Sequence, residues 1–330
     1  MHPATFPVRA FAWLMVTAVF LYLINNYLVY WQDLPGPGAV FAKEQPSTAA
    51  WAQLLGYLFV FIALVVYVRR SADISIRQDS HRFELLSAYL VRSAFWAVLL
   101  IGFVDVAISF LRVEKMLHLF FSEQTIIDLG RPSFRGTYVH YPLLLAAFVV
   151  AFFIRKISFT WLALMVVLAE FLIVVTRFIF SYEQAFMGDL VRFWYAALFL
   201  FASAYTLINE AHVRVDVLYA GFSRVKKAWS NIVGSLFLGI PVCWIILVEG
   251  MGGRGNSINS PLLSFEISQS GYGMYVKYLM AGFLVVFAVT MIIQFVSYLL
   301  HNIAQLVDPE DDASLAESTG EVCLSRTSEQ

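Results

Sequence analysis

The chain has 330 residues, of which 60% are hydrophobic and only 14% charged, with a mean hydropathy of +0.73. Soluble domains carry about 25% charge and 45–50% apolar residues, so an ordinary globular protein is excluded, and so is a disordered chain. A net charge of -1 and a pI near 6.6 argue against a basic nucleic-acid binder, and the composition points to a polytopic helical membrane protein.

The first apolar run, residues 10–30, follows a lone Arg9 as a signal peptide would. It is too long for such a leader, and no small-residue cleavage site precedes the turn at Asp33–Gly36, so it reads as a retained span. Residues 50–68, 193–209, 228–248 and 278–301 are likewise long, apolar and free of Asp, Glu, Lys and Arg. A shorter uncharged run at 138–154 makes a sixth. Two further spans carry internal charges: 85–111 with Arg92 and Asp105, and 157–180 with Glu170 and Arg177. The expected fold class is therefore an all-α bundle of about eight spans.

Lys and Arg distribution sets the expected orientation. Arg69, Arg70, Arg77 and Arg82, then Arg155 and Lys156, then Arg214, Arg224, Lys226 and Lys227 fall on one side of an eight-span chain. That side reads as cytoplasmic and holds both termini. The opposite connections are poor in basic residues except for 112–137, which carries Arg112, Lys115, Arg131 and Arg135. Leu218, Phe222, Val225 and Trp229 recur at helical spacing with the basic residues on other faces, so 217–230 reads as a short helix lying on the membrane surface. Residues 111–121 read as a second interfacial helix. The last stretch, 307–330, holds seven acidic residues against Arg326 alone and reads as a disordered tail.

Intramembrane charges are costly, so they are the first candidates for function. Arg92 lies near a span end, where snorkelling accounts for it. Asp105 is about 20 Å further along the helix, too far to pair with Arg92. Three states remain open to it: protonation, pairing with a neighbouring helix, or lining a polar pocket. Glu170 and Arg177 share a helical face about 10 Å apart along the axis, and read as a pair that locks helix packing. A self-contained transporter or channel would have to use these four residues. The six histidines lie at span ends or outside spans, so a haem-binding cytochrome is not supported. Cys243 and Cys323 form no disulfide framework, and no catalytic set, metal-ligand set or nucleotide loop is legible; neither catalytic residues nor a cofactor is expected.

The densest polar cluster is Asn209-Glu210-Ala211-His212-Val213-Arg214-Val215-Asp216. Read as helix, it holds the i,i+4 pairs Glu210–Arg214 and His212–Asp216; read as extended, it separates a polar face from a valine face. As a corner at the membrane interface it serves either topology and capping, or the docking of a partner.

With its flanks, this corner resembles the small membrane subunit (DctQ type) of tripartite ATP-independent periplasmic, or TRAP, transporters. The resemblance covers about residues 158–301. It rests on Glu210, His212, Val213, Arg214, Val215 and Asp216, on the amphipathic stretch after them, and on the preceding span ending in Arg177 with Gly188-Asp189-Leu190 beyond it. Ala-Tyr-Thr-Leu before the motif and Asp-Val-Leu-Tyr after it are closest to the subgroup named for mannitol or chloroaromatic compounds. The resemblance implies a scaffold subunit in a bacterial inner membrane. Its partners would be a large permease (DctM type), driven by a sodium gradient, and a periplasmic solute-binding protein (DctP type). The chain departs from the family pattern in its N-terminal extension of about four spans. The expected organisation is an extension over 1–157, a DctQ-like membrane domain over 158–306 and the acidic tail.

Overall fold

The computed structural model describes residues 5–42, 47–155, 159–182, 185–208, 219–268 and 273–307. Twelve α-helices follow in chain order among the described residues: α1 (Thr5–Tyr30), α2 (Thr48–Arg70), α3 (Ile76–Val113), α4 (Glu123–Leu129), α5 (Pro132–Arg135), α6 (Tyr141–Phe153), α7 (Phe159–Phe180), α8 (Ala185–Ile208), α9 (Arg224–Gly234), α10 (Ile240–Met251), α11 (Asn259–Ser264) and α12 (Lys277–Val307). Short π-helical turns join α5 to α6 and α9 to α10. Eight helical stretches are long and apolar enough to cross a membrane. The all-α bundle expected from the composition is what the chain forms.

Local sequence sets the helix ends. Ser47 accepts from the Ala50 amide to cap α2, and Ser75 forms a reciprocal capping box with Gln78 at the start of α3. At its far end α3 stops where Lys115 turns left-handed (φ 57°). There the Met116 amide reaches back to the Leu111 carbonyl at 2.8 Å and the Lys115 amide to Arg112 at 3.2 Å, which satisfies the orphan carbonyls of the last turn. The interfacial helix expected over 111–121 is therefore the end of α3 followed by a single 3₁₀ turn at Leu117–Leu119. Of the surface helix expected over 217–230, only the part from Arg224 is helical among the described residues; 219–222 form a turn, and α9 runs without a break through the π turn into α10.

Specific contacts fix the alternation of direction. Tyr22 donates to the Leu247 carbonyl, Asn26 to Met251 and Tyr30 to Gly252, so α1 and α10 run parallel. Ser80 meets Ser297 and Ser87 meets the Thr290 carbonyl, so α3 and α12 run antiparallel. Both directions agree with eight alternating crossings.

α3 and α12 form the centre. Of their most apolar windows, 44% and 50% is buried, against 6% for α2 and 11% for α7. One hydrophobic core joins Val16 and Val19 of α1, Phe83 of α3, Leu247 of α10 and Ile292 and Val296 of α12. The other joins Phe95 and Ile101 of α3, Ala147 of α6, Leu162 of α7, Phe193 of α8 and Phe283 of α12. Both cores thus mix residues from before and after position 157. α2 and α7 are left at the periphery, with one face each outside the bundle.

Gly102 lets α3 and α8 approach closely: a Cβ there would stand 2.5 Å from the Trp194 Nε1. Gly102→Ala is expected to destabilise the fold by about 1–3 kcal/mol, because the buried indole has to shift. Unfolding in detergent, followed by tryptophan fluorescence, checks this; an unchanged midpoint would mean the α3–α8 contact is looser than described.

Candidate functional site

The most concentrated buried chemistry lies where α3, α5, α6 and the start of α12 meet. Pro132 opens α5 at a position where its missing N–H costs nothing. The following π turn closes with the Tyr141 amide on the Gly136 carbonyl. This winding matters for the chemistry. Five residues along an α-helix would place Arg135 and His140 about 140° apart, whereas the wider turn brings both toward Asp105. Gly136 is needed there, since a Cβ would strike the Phe265 ring.

The Asp105 carboxylate is fully engaged. Arg135 Nη1 stands 2.9 Å and His140 Nε2 3.0 Å from its Oδ1, and the Tyr275 amide donates to Oδ2 at 2.9 Å. Arg135 also donates to the Ser109 hydroxyl and the Leu129 carbonyl, with its guanidinium 4.1 Å above the Tyr275 ring. Nδ1 of His140 lies 2.8 Å from the Tyr278 hydroxyl. In the neutral ring, Nε2–H donates to Asp105 and Nδ1 accepts from Tyr278. Asp105, Ser109, Arg135 and His140 are all wholly buried. Of the three states open to Asp105 in the sequence, the structure selects pairing with neighbouring helices. The knot is sealed, and its chemistry is that of a lock.

A second lock sits at the opposite end of the bundle. Arg9 Nε donates to Asp79 Oδ2 at 2.7 Å, Nη1 to the Ser71 carbonyl at 2.7 Å and Nη2 to the Ser71 hydroxyl at 3.1 Å. These bonds tie the start of α1 to the end of α2 and the start of α3, with Arg9 and Asp79 both buried. Asp189, at the start of α8, accepts from Ser268 at 2.8 Å and from the Met274 amide at 3.1 Å. None of Arg9, Asp79, Arg135, His140 or Asp189 stands out in the sequence as a pairing residue. Their long-range partners lie 26 to 138 positions away, where periodicity carries no signal.

The remaining intramembrane charges behave differently. Arg92 is half-buried, with its guanidinium 5.9 Å from the Tyr89 ring centroid and its Nε unpartnered. Glu170 and Arg177 are exposed on α7, and among the described residues no ion pair joins them. Seven residues put them on one face, but the rise between them is about 10 Å. The expected lock between them is not formed. Glu170 lies at the middle of the 22-residue α7 and makes no hydrogen bond or ion pair among the described residues. Beyond the span, Tyr182 donates to Glu114, and that bond pushes its phenol up to about 12. This ties the end of α7 to the end of α3.

Glu210, His212, Arg214 and Asp216 lie outside the described residues, as does the acidic tail from 308. Among the described residues no three His, Cys, Asp or Glu gather as a metal would require.

Residues 164–305 match the family model for tripartite ATP-independent periplasmic transporters, DctQ component. The matched stretch begins within α7 and ends within α12, and so takes in four of the eight crossings. No curated protein and no solved structure matches the chain.

Proposed function

We propose that this protein is the small membrane subunit of a TRAP-type secondary transporter, a scaffold rather than the carrier itself. It works with a large permease of the DctM type and a periplasmic solute-binding protein of the DctP type. The complex imports an organic acid or related small solute on a sodium gradient, and the sequence around 209–216 points to the mannitol/chloroaromatic subgroup. The observation that carries the reading is the match over 164–305. Geometry supports it: the deeply buried intramembrane carboxylate, Asp105, is saturated by fixed partners, so it offers no free ligand for a moving ion. In this reading residues 1–157 are an added membrane region, 158–306 the DctQ-like domain and 307–330 an acidic tail. The corner at Glu210, His212, Arg214 and Asp216 is an interface with the partners.

Reconstitution tests this. The chain alone in liposomes should give no solute uptake under a sodium gradient, and addition of the large subunit and binding protein should restore it. Sodium-driven uptake by the isolated chain would overturn the reading and make Arg92, Asp105, Glu170 and Arg177 the residues of a real pathway.

Both termini lie in the cytoplasm in this reading, with the chain in the inner membrane. The basic connection at 112–137 opposes this less than its sequence implies, because Arg135 is buried on Asp105 and Arg131 pairs with Asp128 at 3.0 Å. In a background lacking Cys243 and Cys323, cysteines at Glu123 and Ser257 should react with an impermeant reagent from outside. Those at Ala72 and Ser223 should not; the opposite pattern would invert the topology.

A further inference from the structure

Between α10 and α12 the bundle surface opens into an apolar groove of about 390 Å³. Gly234, Leu238, Val242 and Cys243 form one wall, and Met291 and Phe295 lie on the other. The π turn over Ser235–Gly239 shapes the first wall, and Gly234 leaves open space: nothing lies within 4 Å of where its Cβ would stand. Leu238 and Val242 remain well exposed along the groove.

The helix beside this groove begins with basic residues. The first turn of α9 carries Arg224, Lys226 and Lys227, and residues 217–248 contain no Asp or Glu. Lys226 and Lys227 bring positive charge to a helix N-terminus, against the helix dipole, and an anion beside them offsets it. Lys227 and Gly234 are seven residues apart on one face, about 10 Å along the axis. α9, the π turn and α10 together make 28 residues, about 42 Å, against a hydrocarbon core of about 30 Å. The basic turn therefore reaches headgroup level, with the exposed Trp229 close below it, while the groove lies at acyl-chain depth.

From this combination we infer that the groove seats an acyl chain of an anionic phospholipid whose phosphate lies against Lys226 and Lys227. Charge complementarity selects this occupant over a neutral lipid, and the apolar lining selects it over a free anion. The inference requires only that the chain spans a membrane, and stands apart from the transport reading.

Native mass spectrometry of the full chain in detergent tests it. The probes are dioleoyl phosphatidylglycerol, dioleoyl phosphatidylcholine and inorganic phosphate as a competitor. Phosphatidylglycerol should be retained over phosphatidylcholine by about tenfold or more, and the double variant Lys226→Gln, Lys227→Gln should remove that preference. Gly234→Leu fills open space without a clash and should lower retention several-fold, and Val242→Phe does the same from the other end. Circular dichroism and thermal melts confirm that the variants fold. Equal retention of the two lipids, displacement by phosphate, or unchanged retention in both groove variants would each overturn the proposal. So would a result in which the groove variants keep lipid but lose capture of a membrane partner, because a protein helix would then fill the groove.

Discussion

Arg135→Leu lowers the unfolding free energy of the isolated protein by about 3–5 kcal/mol, the cost of leaving a buried carboxylate without its cation. Asp105 cannot reach solvent, and the remaining donors, His140 Nε2 and the Tyr275 amide, do not replace the charge of the guanidinium. Asp105→Leu strands the guanidinium in the same way. The double variant removes both charges and should recover most of the loss, since an apolar pair of similar volume often does as well as a buried ion pair. Unfolding in detergent across the double-mutant cycle measures the coupling. Additive losses would show that the two residues act independently and that the knot is not a lock.

Glu170→Leu should have the opposite profile. Exposed at mid-span without a partner among the described residues, Glu170 has little to lose within the isolated chain. Its replacement should move the unfolding free energy by no more than about 0.5 kcal/mol. A bare carboxylate facing lipid is expensive, about 3 kcal/mol on insertion scales, and is retained where something answers it. If the chain works in the complex proposed above, that answer would be a donor or cation on the large permease. Capture of that subunit by the Glu170→Leu protein should fall about tenfold, equivalent to 1.4 kcal/mol. Normal capture would place the partner on another face of the bundle.

These two carboxylates show what the sequence could and could not convey. All eight crossings were legible because a long apolar run has few alternatives in a membrane. The ends of α3 were not: polar Arg77, Asp79, Arg82 and Glu84 hide a helix that begins at Ile76. Asp105 announced itself by its cost, but its partners come from two distant segments, and Arg135 looked like a loop charge. His140 looked like a span-end residue because the uncharged run begins near it, whereas the helical path starts at Pro132. Glu170 and Arg177 looked paired because shared facing is visible in sequence and axial separation is easily discounted. The polar corner that carried the family resemblance is legible only as sequence, since it lies outside the described residues.

The central pairing of α3 with α12 has a consequence for how the chain is made. Ser80 and Ser297 are 217 positions apart, so the first member of the pair leaves the ribosome long before the second exists. At about 5–20 residues per second, that interval is roughly ten to forty seconds. Throughout it, the hydroxyl-bearing face of α3 at Ser80 and Ser87 has to wait in the bilayer or beside the insertion machinery without its final neighbour. Of the described helices, the last to be synthesised, α12, is thus the one that closes the bundle. A ribosome that stalls before residue 277 releases a protein with seven inserted spans and no centre, a ready substrate for membrane quality control.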